Sequence, residues 1–184
     1  MKLILVRHGQ TNENIKGILL GQNPGKLSKE GIESAKKLSK ALANKSIDHL
    51  ISSDLKRCVD TALILVSENG WSFTLDKRLR EINFGEYQGK PYGVISGDFS
   101  NNLDAKFPSG ESNRQLIKRV VDCINEILST HSNNTILLVS HSGPISAILA
   151  AYHGTEFNEA LITYKLGNSE FTEIELDSPL EYAI

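Results

Sequence analysis

Arg7, His8, Arg57, Glu81 and His141 are the residues of this chain whose types could do chemistry together. Guanidinium forks match phosphate oxygens, and two of them beside two imidazoles make an anion hole. The like charge of the arginines holds an imidazole in that hole unprotonated. Such an imidazole is a nucleophile towards phosphorus. A glutamate at the rim can protonate a leaving alkoxide and then take a proton from the attacking water. The set points to phosphoryl transfer through a phosphohistidine, driven by positioning and charge stabilisation, with no metal required. Taken singly, each residue has a duller reading. Arg-His-Gly fits a strand end or a turn, Arg57 a solvated helix charge, and Glu81 a surface partner for Arg78 or Arg80. Only their joint placement decides. His49, His131 and His153 have no such company and read as surface or core histidines.

The elements that must position these groups follow from hydrophobic pattern. Lys2–Val6 is a short apolar run that predicts a strand buried on both faces, and it stops at Arg7-His8-Gly9. The stretch to Gly31 reads as a loop with room for a short helix, with Pro24-Gly25 as a turn signal. Ser28 caps a helix running to about Asn44, with Ile32, Ala35, Leu38 and Leu42 on one stripe. Ile47–Ser52 reads as a second strand. Ser53 can cap a helix over 54–68 that is apolar almost all round, hence deeply packed, and Gly70 ends it. Ser72–Leu75 is a third strand. Residues 80–110 lose periodicity and carry Gly85, Gly89, Pro91, Gly93, Gly97, Pro108 and Gly110, a long irregular excursion of the functional kind. Ser112 to Gln115 forms a capping box opening a helix with Leu116, Val120, Val121, Ile124, Ile127 and Leu128 at helical spacing. Thr135–Ser140 is a buried strand, Pro144 sits in the first turn of a helix to about Tyr152, and Phe171–Leu176 closes the chain as a strand.

Strands alternating with helices imply an α/β fold with a mainly parallel sheet covered on both faces. The ligand crevice of such a sheet lies beyond the carboxyl ends of its strands. Arg7 and His8 follow the first strand, Arg57 lies one turn into the helix after the second, Glu81 opens the excursion after the third, and His141 follows Thr135–Ser140. The pattern therefore predicts that all five meet at one edge.

Composition bounds the alternatives. The chain has 184 residues, 40% apolar and 23% charged, enough for one compact domain over 1–184. A net charge of −2 argues against nucleic acid as a partner. Cys58 and Cys123 form no CxxC pair, and the run before Arg7 is too short for a signal or membrane segment, so a cytoplasmic setting is the default expectation. Gly21 to Ser28 is one residue short of a P-loop, with Leu27 where a hydroxyl residue must follow Lys26. Leu138 stands where a nucleophile elbow around Ser140 needs its first glycine. No zinc spacing and no acidic magnesium cluster is present, so neither metal nor cofactor is expected.

Five segments together resemble the histidine phosphatase superfamily, in its phosphoglycerate-mutase-like branch. They are LVRHGQTNEN at 5–14, LISSDLKRCVDTA at 50–62, LREINFGEYQG at 79–89, FPSGES at 107–112 and ILLVSHSGPISAIL at 136–149. The resemblance implies a three-layer α/β/α sandwich. It implies that His8 is phosphorylated, that Arg7, Arg57 and His141 line the phosphate pocket, and that Glu81 is the proton donor. Asn14 matches the pocket asparagine and Thr11 the hydroxyl position near it, while Gly21, Gln22 and Ser142 fall on the pocket loops. Three positions depart from the family pattern: Leu20 where a polar residue is common, Ser142 where glycine is common, and Tyr87 where phosphatases often carry tryptophan.

A mutase of this family usually carries a longer insertion with a basic pair after the acid residue. Residues 88–110 offer only Lys90 and Lys106, with an open run through Gly93, Gly97 and Asn101-Asn102, which favours hydrolysis over mutase transfer. A binding module with little turnover would tend to have lost its acid or nucleophile, and neither is lost. The expected ligand is a small phosphorylated metabolite. Its identity belongs to residues 83–110, Ile15 to Gln22 and Ser142. Tyr87, Tyr92, Phe99 and Phe107 offer either an aromatic surface to it or core packing. The sequence sets no oligomeric state.

Overall fold

The computed structural model describes residues 1–95, 99 and 102–182; Gly97 and Asn101 of the excursion lie outside them. Five strands form one sheet: β1 (Lys2–Arg7), β2 (His49–Ser52), β3 (Phe73–Leu75), β4 (Thr135–Ser140) and β5 (Phe171–Glu175), in the order β3-β2-β4-β1-β5. The first four are parallel, and β5 runs antiparallel along β1. The central pair is in register from Lys2 with Thr135 to Arg7 with Ser140, so Arg7 and the end of β4 arrive side by side.

The continuous apolar runs of β1 and β4 split their side chains between two cores, as a sheet buried on both faces requires. Leu3, Leu5, Ile136 and Leu138 face α4 (Asn113–Thr130) and α5 (Ser142–His153), against Leu116, Val120, Ile124 and Ile148. Ile4, Val6, Leu137 and Val139 face α2 (Lys29–Leu42) and α3 (Lys56–Asn69), against Leu38, Leu42, Cys58, Ala62 and Leu65. The result is three layers with the sheet in the middle. Ser28 caps α2 and Ser112 closes a capping box on α4, each side chain accepting from the backbone N–H three residues on.

Two local expectations are corrected, and one segment without a reading gains an element. Ser53 does not cap the helix after β2: α3 starts at Lys56 behind Leu55, which makes no side-chain cap bond, and Ser53 turns to the site instead. That helix is not buried all round, because Leu63 is 48% exposed and the packed face is Arg57, Cys58, Thr61, Ala62 and Leu65. Residues 153–170, without a reading from periodicity, contain α6 (Phe157–Thr163), too short to show a repeat. The loop after β1 does hold a short helix, α1 (Asn12–Ile15). Among the described residues, no helix is long and apolar enough to cross a membrane.

Candidate active site

His8 follows β1 and its backbone N–H donates to Ser140 O at the end of β4, at 3.0 Å. The residue is 4% exposed. Nδ1 lies 2.8 Å from Gly9 O, which can only accept, and Nε2 takes a 3.1 Å hydrogen bond from Arg57 Nε. The two contacts admit one neutral tautomer, protonated on Nδ1 with a lone pair on Nε2. Burial first, then the Arg57 guanidinium, then Arg7, hold the imidazole well below its ordinary pKa, against the pull of the Gly9 bond. His8 is therefore an unprotonated imidazole at neutral pH.

Arg57 comes from the first turn of α3 and is 2% exposed. Its Nη2 donates to Gly21 O at 2.7 Å and its Nη1 to Asn23 O at 3.1 Å, which fixes the fork in one plane. Gly21 adopts a φ of +53°, and a Cβ there would strike the Gln88 side chain, so the turn that aims its carbonyl at Arg57 favours glycine. Arg7 reaches in from β1. Its Nη1 donates to Leu166 O at 2.7 Å, while its Nε is buried without a hydrogen-bond partner among the described residues. A buried guanidinium N–H without an acceptor is costly unless an anion arrives.

His141 follows β4 and stands as the N-cap of α5. Its ring is 5.1 Å from that of His8, edge to face. Its Nε2 lies 2.9 Å from Ser53 Oγ and 3.3 Å from Cys58 Sγ. Burial, then Arg57, then His8 lower its pKa well below the ordinary range, so the second imidazole is neutral too. Cys58 is fully buried, and burial pushes its thiol up to about 12, a packing and hydrogen-bonding group and not a thiolate.

Glu81 follows the single-turn 3-10 segment Lys77–Leu79. Among the described residues, its cationic neighbours pair elsewhere. Arg80 is held by Asp54 through a 2.6 Å bond from Nε, and Arg78 by Asp76 and Glu126. The Glu81 carboxyl turns inward instead. Its Oε1 accepts from Ile82 N at 3.0 Å and from Gly143 N, at the start of α5, at 3.2 Å. Burial raises its pKa, outweighing the Ile82 bond and the nearby Arg57 charge. A carboxyl so placed keeps its proton to higher pH than a solvated one, which suits a general acid.

All five residues named from the sequence thus gather at the carboxyl edge of the parallel strands. The surrounding positions divide. Asn14 is half-buried, its Nδ2 donating to the Tyr92 hydroxyl at 3.2 Å. Thr11 is fully buried and its hydroxyl caps α1 by accepting from Asn14 N, so it positions Asn14. Gln22 donates from Nε2 to Glu81 O at 3.1 Å and supports the Glu81 backbone. Ser142 opens α5, half-buried. Leu20 is buried. Of the four aromatics, Phe107, Phe99 and Tyr87 pack together with Phe84, the Phe99 and Phe107 rings stacked at 4.4 Å, while Tyr92 stays exposed at the mouth. His49 and His131 touch each other and His153 stacks on Tyr164, away from this edge.

Sequence reasoning missed Ser53 as the partner of His141 and Asn168, whose Nδ2 donates to His8 O at 3.0 Å. Neither type nor spacing marks them; only the folded loops bring them in. A groove of about 840 Å³ at the far end of α5, lined by Gly154, Glu156, Asp177 and Tyr182 among others, lies away from these groups. Among the described residues, no three His, Cys, Asp or Glu side chains gather as metal ligands.

Residues 3–179 match the histidine phosphatase superfamily (branch 1), and the chain belongs to that family. It is 33% identical over 184 residues to a protein of Hydrogenobacter thermophilus named "Putative phosphoserine phosphatase 2", covering 96% of this chain and 90% of that one. It is 30% identical over 162 residues to the "Probable phosphoglycerate mutase GpmB" of Yersinia pestis, covering 84% of this chain and 75% of that one. Among solved structures, a mycobacterial glucosyl-3-phosphoglycerate phosphatase in complex with VO3 superposes with a TM-score of 0.83 at 27% identity, over 94% of this chain and 90% of that one. A structure described as a putative alpha-ribazole-5'-P phosphatase from Escherichia coli superposes with a TM-score of 0.87 at 27% identity, over 100% and 95% of the two chains.

Proposed function

We propose that this protein is a metal-independent phosphatase that hydrolyses small phosphate monoesters through a phosphohistidine on His8. The observation that carries the reading is the His8 ring itself: neutral, locked by Gly9 O on one side, and offering its Nε2 lone pair to a buried guanidinium on the other. Bound phosphoryl oxygens replace Nε2 as the acceptor of Arg57 Nε and give Arg7 Nε the acceptor it lacks. Nε2 then attacks phosphorus. The N–P bond forms, the ester P–O bond breaks, and the leaving oxygen takes the Glu81 proton. Water attacks the phosphohistidine, giving its proton back to Glu81 as the N–P bond breaks and inorganic phosphate departs. The two arginines offset the charge of the transferring group throughout.

The test is His8→Ala with an aryl phosphate, alongside alkaline-quench capture of wild-type enzyme labelled from the substrate phosphate. Turnover should vanish in the variant, and the label should sit on a base-stable, acid-labile adduct of His8. A variant that still turns over in clean preparations refutes the nucleophile; loss of wild-type activity on chelation refutes metal independence. A mutase reading has the name of the Yersinia relative in its favour. Against it, Lys90, one of the two lysines of 88–110, lies over the Tyr87 ring at 5.2 Å. Release of free phosphate, as opposed to its transfer between hydroxyls of a phosphorylated acid, separates the two.

A further inference from the structure

Arg119 lies on α4, outside the five converging residues, yet its guanidinium is spent on the segment that carries Glu81. Nη1 donates to Arg78 O and to Arg80 O, each at 2.7 Å. Nη2 donates to Glu81 O at 3.1 Å and to Glu111 Oε1 at 2.6 Å, and Nε donates to Glu111 Oε2 at 3.0 Å. Glu111 completes the joint from the other side. Its Oε1 also accepts from Asn83 N at 2.8 Å, and its backbone N–H donates to Asn83 O at 2.9 Å. The two side chains are only 20% and 16% exposed.

The chemistry explains the need. Beyond β3 the backbone has no strand neighbour, so the carbonyls at 78, 80 and 81 require other donors. A guanidinium offers five N–H groups in a rigid fork, and here it reaches three carbonyls and a bidentate carboxylate at once. The turn around Gly110 presses so closely on Asn83 O that a Cβ there would collide with it. Helix α4 supplies the fixed ground, with a face of eight buried residues from Leu116 to Leu128.

We infer that Arg119, with Glu111, is a positioning pair that sets where the Glu81 carboxyl stands over the leaving oxygen. The inference rests on the proposed acid role of Glu81. The pair touches no reacting atom, so its loss should weaken protonation of the leaving group and leave attack by His8 much less affected.

The experiment compares kcat/KM for an alkyl phosphate, whose departure needs a proton, with kcat/KM for para-nitrophenyl phosphate, whose departure does not. This quantity stops at leaving-group departure and is blind to the later hydrolysis of the phosphoenzyme. In Arg119→Met the alkyl-to-aryl ratio should fall about 10- to 100-fold, the loss expected for a displaced catalytic group. Arg119→Lys, which keeps the charge but loses the fork, should recover only part of it, and Glu111→Gln should fall between. Glu111→Gln keeps size and shape and carries the test if Arg119→Met does not fold. A ratio unchanged in folded variants, or an equal loss with both esters, overturns the positioning role. Glu81→Gln runs in parallel. If it leaves the ratio at the wild-type value, the acid reading fails and takes the inference with it. If it lowers the ratio while the Arg119 and Glu111 variants do not, the positioning pair alone is refuted.

Discussion

Gly143 offers a sharp test of the acid geometry, because a single methyl group there should spare the fold and disturb one carboxyl. Gly143 sits in the first turn of α5, and its N–H donates to Glu81 Oε1 at 3.2 Å. A Cβ built on Gly143 would fall closer to Glu81 Oε1 than the 3.0 Å that real Cβ atoms respect, with Leu116 Cδ2 at 3.2 Å closing the other side. Backbone and leucine cannot easily give way, but the end of a glutamate can. In Gly143→Ala the carboxyl therefore retreats, by roughly 1 Å, and a shift of that size costs a positioned group on the order of 100-fold, or about 2.7 kcal/mol of transition-state stabilisation. Stability should barely move: alanine gains up to about 1 kcal/mol of helix propensity over glycine, and the lost N–H bond costs about 1 kcal/mol. The assay is kcat/KM with an alkyl phosphate beside para-nitrophenyl phosphate, with melting followed by calorimetry. The expected outcome is a selective loss with the alkyl ester at a nearly unchanged melting temperature. Wild-type turnover of the alkyl ester would show that the position of the Glu81 carboxyl does not matter to the reaction.

The same site geometry has further consequences. Turnover of an alkyl ester should fall in acid as His8 gains a proton, at a pH well below the ordinary imidazole range, and in alkali as Glu81 loses one, above the ordinary carboxylate range; steady-state pH profiles check both limbs, and Glu81→Gln should remove the alkaline one. Fold stability should decline as pH drops below the ordinary histidine value of 6.5, since the unfolded chain takes up protons there that buried His8 and His141 refuse. Each imidazole contributes at most about 1.4 kcal/mol per pH unit, until the pH reaches its folded value. Glu81 works oppositely, its contribution being present in acid and lost as pH rises through its raised folded value. Urea midpoints across pH test this, and a flat profile from neutrality into mild acid contradicts neutral buried imidazoles. Phe107→Ala should cost about 3–5 kcal/mol, because Phe107 is 3% exposed and packs against Phe84, Tyr87 and Phe99; a loss under 1 kcal/mol would mean these rings are free to serve a ligand.

Periodicity alone determined the layering of this protein. Apolar runs such as Leu3 to Val6 and Ile136 to Val139 have nowhere to go except a sheet buried on both faces, and the stripes of α2 and α4 must then cover it. Chain order put Arg7, His8, Arg57, Glu81 and His141 at or shortly after strand ends, so their meeting was legible in the sequence. Tertiary structure decided what the pattern could not carry. Ser53 looks like a helix cap in sequence, yet it binds His141, because the chain bends after β2 and α3 begins only at Lys56. Arg119 reads as a polar helix position, and its hold on the Glu81 backbone exists only once α4 packs beside residues 78–83. Thr11 and Gln22 match pocket positions by motif, but their hydrogen bonds go to Asn14 and to the Glu81 backbone. Local pattern governs which face of an element is buried. Hydrogen bonds between irregular segments depend on distances that arise only when separate elements have docked, and the fine geometry of this site is made of those.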